Sequence, residues 1–133
     1  MTGNQNPDNR PQVYSDMVMQ LAGSKPRFGR MNDPDGAALL TGECGEEMEF
    51  YLVIKDNTIE DIRYHTGNCP ASLACGALVA ESLAGRPLED AFQVSASMIL
   101  KVLGGLPDND RHCALLTVMT LYKAVGNYLL SCW

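Results

Sequence analysis

The sequence predicts an α+β fold in which a small three-stranded antiparallel sheet is followed by a helical layer packed on one of its faces. Two observations lead to this prediction. Residues 47–55 alternate between apolar and polar side chains as a strand does, and the residues after Gly67 change to the pattern of helices. A chain of 133 residues also buries enough surface to fold without a disulfide or a metal.

The first residues differ in composition from the rest of the chain. Residues 1–12 are rich in Asn, Pro and Asp, so we expect a disordered leader there and a single domain over residues 13–133. A short helix is predicted over residues 14–21, because a cluster of Gly, Ser and Pro follows it.

The sheet is predicted from three segments. Residues 47–55 alternate with a period of two, which is typical of a strand with one buried face. Asp56 and Asn57 then form a turn, and residues 58–66 make the return strand of a hairpin. Residues 35–42 supply the third strand. The apolar positions of the central strand are Met48, Phe50, Leu52 and Ile54.

The second half of the chain is predicted to be helical. Pro70 suits the first position of a helix that runs to about residue 84. A short helix over residues 87–92 follows, and then a helix over residues 95–103 that begins with a Ser cap. The last helix is predicted to bury one apolar stripe. Its residues are Leu115, Val118, Met119, Tyr122, Val125 and Leu129.

Charge and hydropathy exclude two classes of partner. Ten Lys and Arg residues against sixteen Asp and Glu residues give a formal net charge of −6, whereas a phosphate-binding face is basic. No apolar run reaches the roughly 18 residues of a membrane span, and residues 1–12 hold no apolar core for a secretion signal. We therefore expect a cytoplasmic protein that binds neither nucleic acid nor membrane.

The five cysteines are an odd number in a chain without an export signal, which favours thiol or metal chemistry over a disulfide framework. Three of them stand at the ends of predicted elements. Cys44 lies in a glycine-flanked loop, Cys69 directly precedes a helix, and Cys113 stands beside His112 at the start of the last helix. Element ends carry functional sites, and the positive end of a helix dipole stabilises a thiolate.

The remaining thiols and the second histidine suggest structural or surface positions. Cys75 lies in a run of Ala and Leu that indicates a packed helix face, and Cys132 is most simply an unpaired thiol at the tail. His65, at the edge of the third strand, is expected on the surface. The chain contains no CxxC pair, which argues against a zinc finger and against a thioredoxin-like site.

Four segments in this order resemble the iron-sulfur cluster assembly scaffolds of the IscU/NifU type: YSDMVM, ECGEEMEFYLVI, IEDIRYHTGNCPASLA, and LGGLP followed by HC. The resemblance extends from Val13 to the C-terminus and implies an IscU/SufE-like α+β fold. It also implies which residues bind the cluster or a metal. These are Cys44, Cys69 and Cys113, with His112 as a further ligand and Glu46 in place of the aspartate of the CGD motif.

The function implied by the resemblance is assembly rather than catalysis. Sulfur delivered as persulfide by a cysteine desulfurase, together with iron, would be built into a labile cluster and passed to apo iron-sulfur proteins. The expected cluster has two irons and two sulfides, Zn²⁺ can take its place, and the expected state is a monomer or weak dimer. Three thiolates with a weaker fourth ligand hold a cluster that remains replaceable.

One motif departs from the family. Bacterial members carry LPPVK before the HC pair, a segment recognised by an Hsp70-type chaperone, and this chain has LPDND instead. The change replaces Pro, Val and Lys by Asp108, Asn109 and Asp110, which reverses the local charge and removes the apolar anchor. The sequence therefore argues against that chaperone as a partner.

Three other functions are compatible with cysteine and histidine residues in these positions. A catalytic cysteine is disfavoured, since the neighbours His112 and Cys113 point about 100° apart on a helix. A purely structural zinc domain does not explain ligands on glycine-flanked ends in a chain with a sufficient core. A zinc-binding persulfide acceptor, acting as a sulfur-relay protein, is the strongest alternative.

Overall fold

The computed structural model describes residues 14–43 and 45–132, so the predicted leader over residues 1–12 lies outside the described part of the chain. The helices and strands follow in this order: α1 (Asp16–Ser24), β1 (Gly36–Thr41), β2 (Glu47–Lys55), β3 (Thr58–Thr66), α2 (Pro70–Leu83), a 3₁₀ helix (Leu88–Gln93), α3 (Ala96–Leu103), a 3₁₀ turn (Asp108–Asp110) and α4 (His112–Ser131). The predicted α+β fold is confirmed.

The sheet is antiparallel with β2 in the middle. Phe50 pairs with Ala38 on one side and with Tyr64 on the other. Asp56 and Asn57 both have positive φ angles, 52° and 59°, as the central residues of a two-residue hairpin require. The hairpin predicted from the sequence is therefore correct in both its strands and its turn.

One face of the sheet is buried under helices. Met48, Phe50 and Leu52 are fully buried, in the predicted alternation. Helix α4 lies over β1 and β2, helix α2 lies over β3, and the two helices contact each other. The apolar side chains of β2 and β3 and the inner faces of these helices thus form one core.

The opposite face of β2 is more covered than its polar sequence suggests. Glu49 is only 3% exposed. Arg30 donates from its Nε and one terminal nitrogen to the two carboxylate oxygens of Glu49, both at 2.9 Å. This bidentate pair lowers the pKa of Glu49 and satisfies a carboxylate that burial would otherwise destabilise.

The helix starts follow their sequence signals, with small shifts. Helix α1 begins two residues later than predicted because Ser15 caps it, accepting from the N–H of Val18 at 3.1 Å. Ser95 caps α3 in the same way. The segment predicted as a short helix over residues 87–92 is a 3₁₀ helix.

The prediction that the apolar stripe of α4 is buried is largely wrong. Only two of its six residues, Val118 and Val125, are buried, while Leu115 and Met119 are 53% and 51% exposed. The inward face also contains Leu116 and Leu121, which the predicted stripe lacks. Thr117 and Thr120 are buried there too, and their hydroxyls donate to backbone carbonyls one turn earlier at 2.7 Å. Tight packing selects this face, since the backbone of β1 approaches α4 closely.

The segment Asp108–Ser131, which contains α4, is long and apolar enough to cross a membrane by length and composition. Half of its most apolar window is buried inside the protein, as expected of a core helix. It is therefore weak evidence for a membrane span.

Candidate functional site

Cys69 lies where β3 leads into α2. It occupies the N-cap position of α2, with Pro70 as the first helical residue. Interaction with the Cys113 thiol, helped by the backbone N–H groups of Ala71 and Ser72, outweighs burial and lowers the pKa of Cys69 to about 5. Cys69 is therefore a thiolate at neutral pH.

Cys113 is the second residue of α4 and lies beside Cys69. It is 2% exposed, and the hydroxyl of Ser72 donates to its sulfur at 3.4 Å. Interaction with Cys69 and then burial raise the pKa of Cys113. The two thiols hold one proton between them at neutral pH. Cys113 is buried because the first turn of α4 packs against α2.

Cys113 also belongs to a second group, with Glu46 and His112. One ligand atom from each of these three residues lies within 4.8 Å of the other two. The Nε2 atom of His112 is 4.0 Å from the Cys113 sulfur. The two side chains therefore approach each other although neighbouring residues of a helix point about 100° apart. The same nitrogen lies against Oε2 of Glu46.

The loop between β1 and β2 places Glu46. The N–H of Gly42 donates to the Glu46 carbonyl at 2.7 Å, and Gly45 has a φ of +88° that favours glycine. A Cβ at residue 42 would stand 2.8 Å from the Glu46 carboxyl carbon, so glycine there leaves space for the carboxylate. Both carboxylate oxygens of Glu46 are buried; Oε2 lies against Nε2 of His112, and Oε1 has no partner among the described residues.

The site has a second carboxylate, Asp110, which the sequence pattern did not predict. Asp110 lies in the turn before α4, and one of its oxygens is within 4.8 Å of the sulfurs of Cys69 and Cys113. The hydroxyl of Tyr14 donates to Oδ2 of Asp110 at 2.7 Å. The available sequence signal is an acidic residue two positions before His112, within the segment LPDND that replaces the chaperone motif.

The structure thus brings together four of the five predicted site residues, as two groups that share Cys113. They are Glu46, Cys69, His112 and Cys113. Cys44, the fifth, lies outside the described residues.

Cys75 and Cys132 are where the sequence suggested, whereas His65 is more buried than the surface position predicted for it. Cys75 is fully buried in α2, and burial raises its pKa to about 12. Cys132 is exposed at the end of α4. His65 is half-buried and packs against the ring of Phe28, with Nδ1 at 3.6 Å from Glu49 rather than near the thiols.

Two openings reach this region from solvent. The first is a cleft of about 400 Å³ on the Cys69 side, lined by Gly45, Glu46, Glu47, Thr66, Gly67, Asn68 and Cys69. The second is an apolar groove of about 460 Å³ beside His112, lined by Leu40, Thr41, Gly42, Glu43, His112, Leu115, Leu116 and Met119. The groups that could hold a metal are therefore accessible although Cys113 is buried.

Known proteins are similar to this chain in sequence and in fold. Residues 13–131 match the family described as NifU-like N terminal domain. The iron-sulfur cluster assembly scaffold protein IscU 1 of Archaeoglobus fulgidus is 32% identical over 117 residues, which cover 87% of this chain and 76% of that protein. The scaffold protein IscU of Azotobacter vinelandii is 29% identical over 121 residues, covering 87% of this chain and 94% of that protein.

Solved structures show the same fold at lower identity. A NifU-like N-terminal protein from Brucella abortus superposes with a TM-score of 0.71 at 19% identity, covering 87% of this chain and 94% of its own. A candidate SUF-system cluster assembly scaffold from Fervidobacterium islandicum has a TM-score of 0.67 at 19% identity, covering 84% of this chain and 96% of its own. With the match over residues 13–131, these findings establish that the chain belongs to the NifU-like N-terminal domain family, of the IscU/NifU type.

Proposed function

We propose that this protein is a scaffold for iron-sulfur cluster assembly, which receives sulfur and iron, holds a labile cluster and passes it to apo-proteins. The observation that supports it best is the pair of ligand groups that share Cys113. Thiolate, imidazole and carboxylate ligands within 4.8 Å of one another suit iron or zinc and do not suit Mg²⁺ or Ca²⁺.

The cluster ligands in this proposal are the thiolates of Cys44, Cys69 and Cys113, with His112 and Glu46 sharing the remaining position. Glu46 supports this assignment because Oε1 of its buried carboxylate has no partner among the described residues, while Oε2 lies against His112. A buried carboxylate oxygen without a partner is costly, and a bound cation removes that cost. A position shared by imidazole and carboxylate is easier to vacate than a fourth thiolate, which favours release.

Cys69 is the proposed acceptor of sulfur. Its lowered pKa makes it a thiolate, and it lines the open cleft, whereas Cys113 is buried and protonated. The thiolate attacks the terminal sulfur of a persulfide on the donor desulfurase. A new sulfur–sulfur bond forms on Cys69 as the donor's bond breaks, and the donor cysteine leaves as a thiolate.

Further properties follow from this proposal. Residues 13–133 act as one domain in the cytoplasm, without catalytic residues of their own and as a monomer or weak dimer. The partners are a cysteine desulfurase and apo iron-sulfur proteins, and the cluster is of the two-iron, two-sulfide kind. An Hsp70-type chaperone is not among the proposed partners, because LPDND lacks the apolar and basic residues of LPPVK.

A zinc-binding persulfide acceptor is the second candidate. It is favoured by the same ligand set, since sulfur, nitrogen and oxygen donors can bind Zn²⁺ tetrahedrally. In that function the sulfur would pass on from Cys69 without a cluster being built.

Anaerobic reconstitution with ferrous iron and sulfide, followed by a visible absorption spectrum, separates these candidates. A scaffold forms a charge-transfer chromophore that is lost in Cys69→Ala and kept in Cys132→Ala, which removes an exposed thiol outside the site. A colourless wild-type protein that still binds zinc would favour the sulfur-relay function. Equal chromophores in wild type and Cys69→Ala would remove Cys69 from the ligand set.

A further inference from the structure

Asp110 places a carboxylate at the thiol pair, away from the Glu46 group. One of its oxygens, the Cys69 sulfur and the Cys113 sulfur all lie within 4.8 Å of one another. Glu46 belongs to the other group, and only Cys113 is common to both. The site therefore has a carboxylate in each of its two ligand groups.

Contacts from a distant part of the chain hold this carboxylate in place. Tyr14 and Asp110 are 96 positions apart, and the Tyr14 hydroxyl donates to Oδ2 at 2.7 Å. The next residue, Ser15, caps α1 and also donates to the carbonyl of Leu103 at the end of α3. Tyr14 is thereby fixed over the turn that carries Asp110, and no hydrogen bond from a described residue reaches Oδ1.

Asp110 makes no ion pair in the described part of the chain, although other carboxylates of the molecule are paired with Arg. Two sulfurs and a carboxylate oxygen at this separation are all electron-pair donors. A divalent cation between them would relieve their mutual repulsion.

We propose that Asp110 is a cation ligand, which with Cys69 and Cys113 binds a single Fe²⁺ or Zn²⁺ ion. Two thiolates and one carboxylate form a mixed set that iron and zinc accept. Tyr14 is a positioning residue that orients the carboxylate through Oδ2. The identity of the ion as iron rests on the proposed function, but the ligand role of Asp110 does not.

Cobalt binding tests this proposal, because Co²⁺ occupies zinc and iron sites and its visible spectrum reports its ligands. The metal-free, reduced full chain is titrated with Co²⁺ against a chromophoric chelator, for wild type, Asp110→Asn and Asp108→Asn. Asp108 is the matched control, since it lies in the same turn, is exposed and belongs to neither ligand group.

Asp110→Asn is expected to weaken Co²⁺ binding by about tenfold or more, because a ligand is lost. Its visible ligand-field bands should shift while the thiolate-to-cobalt charge-transfer intensity per bound ion is retained. Asp108→Asn should change the affinity by about twofold or less, since an exposed charge is screened. A folded Asp110→Asn protein with wild-type affinity and spectrum, or equal losses in both variants, would overturn the proposal.

Tyr14→Phe provides a second test if Asp110→Asn does not fold, as judged by circular dichroism. It keeps the carboxylate and removes only its hydrogen bond, so we expect Co²⁺ binding weaker by about three- to fivefold with a shifted ligand-field spectrum. If Asp110→Asn does not fold and Tyr14→Phe binds Co²⁺ with wild-type affinity and spectrum, the proposal is contradicted.

The same proteins are also reconstituted with iron and sulfide. If Asp110→Asn weakens Co²⁺ binding but the wild type forms no chromophore, the ligand role of Asp110 stands and the proposed scaffold function fails. If the wild type forms the chromophore and Asp110→Asn binds Co²⁺ normally, the scaffold function stands and the ligand role fails.

Discussion

Two neighbouring thiols in one site have opposite protonation states. Interaction between Cys69 and Cys113 favours a proton on the buried sulfur, and the N–H groups at the start of α2 favour the charge on Cys69. A scaffold needs such an asymmetry, because sulfur transfer requires one nucleophilic thiolate that is accessible. The second thiol remains protected until a metal displaces its proton.

Alkylation of the metal-free protein tests this asymmetry. Since the pKa of Cys69 is lowered to about 5, its thiolate fraction rises with pH through about 5 and is nearly complete by about pH 6. The alkylation rate at Cys69, followed by peptide mass mapping, should therefore reach a plateau near pH 6. In denatured protein the rate should keep rising to about pH 9. A folded-state rate that also rises to pH 9 would mean that Cys69 is an ordinary thiol.

Glu46 is the residue at which this chain departs from the CGD motif. Glu46→Asp shortens the side chain and withdraws the carboxylate from His112. The imidazole is then free to bind the cluster, so we expect transfer to an apo-ferredoxin to slow by about three- to tenfold. Equal transfer rates for the two proteins, measured by circular dichroism, would show that the extra methylene has no functional effect.

The positions of single residues follow from local patterns where such patterns exist. Cys69 and His112 stand at helix starts in recognisable motifs, and each has a ligand atom near the sulfur of Cys113. Their roles as cluster ligands stay predictions. Asp110 was assigned no site role, because its position depends on Tyr14, 96 positions away in sequence. Contacts of that kind have no local sequence signal.

At the scale of elements, the backbone of the loop between β1 and β2 determines where the Glu46 carboxylate lies in the site. Gly42→Ala would bring a Cβ to 2.8 Å from the Glu46 carboxyl carbon, and that side chain is flexible enough to move aside. We expect little change in thermal stability but zinc binding weaker by about tenfold, because the displaced carboxylate supports the metal. Gly23→Ala in α1, which lines neither opening of the site, is the control, since nothing lies within 4 Å of its Cβ. Equal zinc affinity in both variants would contradict this role of Gly42.

Two helical glycines test the packing of the helical layer. A Cβ at Gly76 of α2 would stand 2.3 Å from the ring of Tyr64, whereas nothing lies within 4 Å of one at Gly126 of α4. Gly76→Ala should therefore lower the free energy of unfolding by about 1–3 kcal/mol through overpacking. Gly126→Ala should raise it by about 0.5–1 kcal/mol through helix propensity. Urea denaturation checks both, and a stabilised Gly76→Ala protein would disagree with the close contact.

Elements were predictable where a single rule decides them. Strand alternation and the hairpin turn at Asp56 and Asn57 depend on local sterics, and both predictions are correct. The buried face of α4 was predicted wrongly because hydrophobicity alone does not account for Thr117 and Thr120. Their hydroxyls bond to the helix's own carbonyls, so they pack like small apolar residues.

At the scale of the whole molecule, the sheet and helices bring residues 46, 69 and 110–113 into one place. Helix α2 lies over β3 and contacts α4, so the starts of both helices meet near the loop before β2. The ligand atoms therefore come from three separate parts of the fold. Such an arrangement is open at its edges, through the cleft at Cys69 and the groove at His112.

The net charge of −6 adds an expectation about partners. Proteins that exchange sulfur or clusters with this chain should dock through basic surfaces, because charge complementarity steers association. Their association rates should consequently fall as salt is raised.

The most direct test of the account is transfer of a reconstituted cluster to an apo-ferredoxin, followed by circular dichroism with and without an iron chelator. A scaffold passes its cluster intact, so the ferredoxin signal should appear at the same rate in both conditions as the donor chromophore disappears. A donor chromophore that persists beside the apo-ferredoxin, or a transfer that the chelator stops, would contradict the claim that this site holds a cluster for delivery.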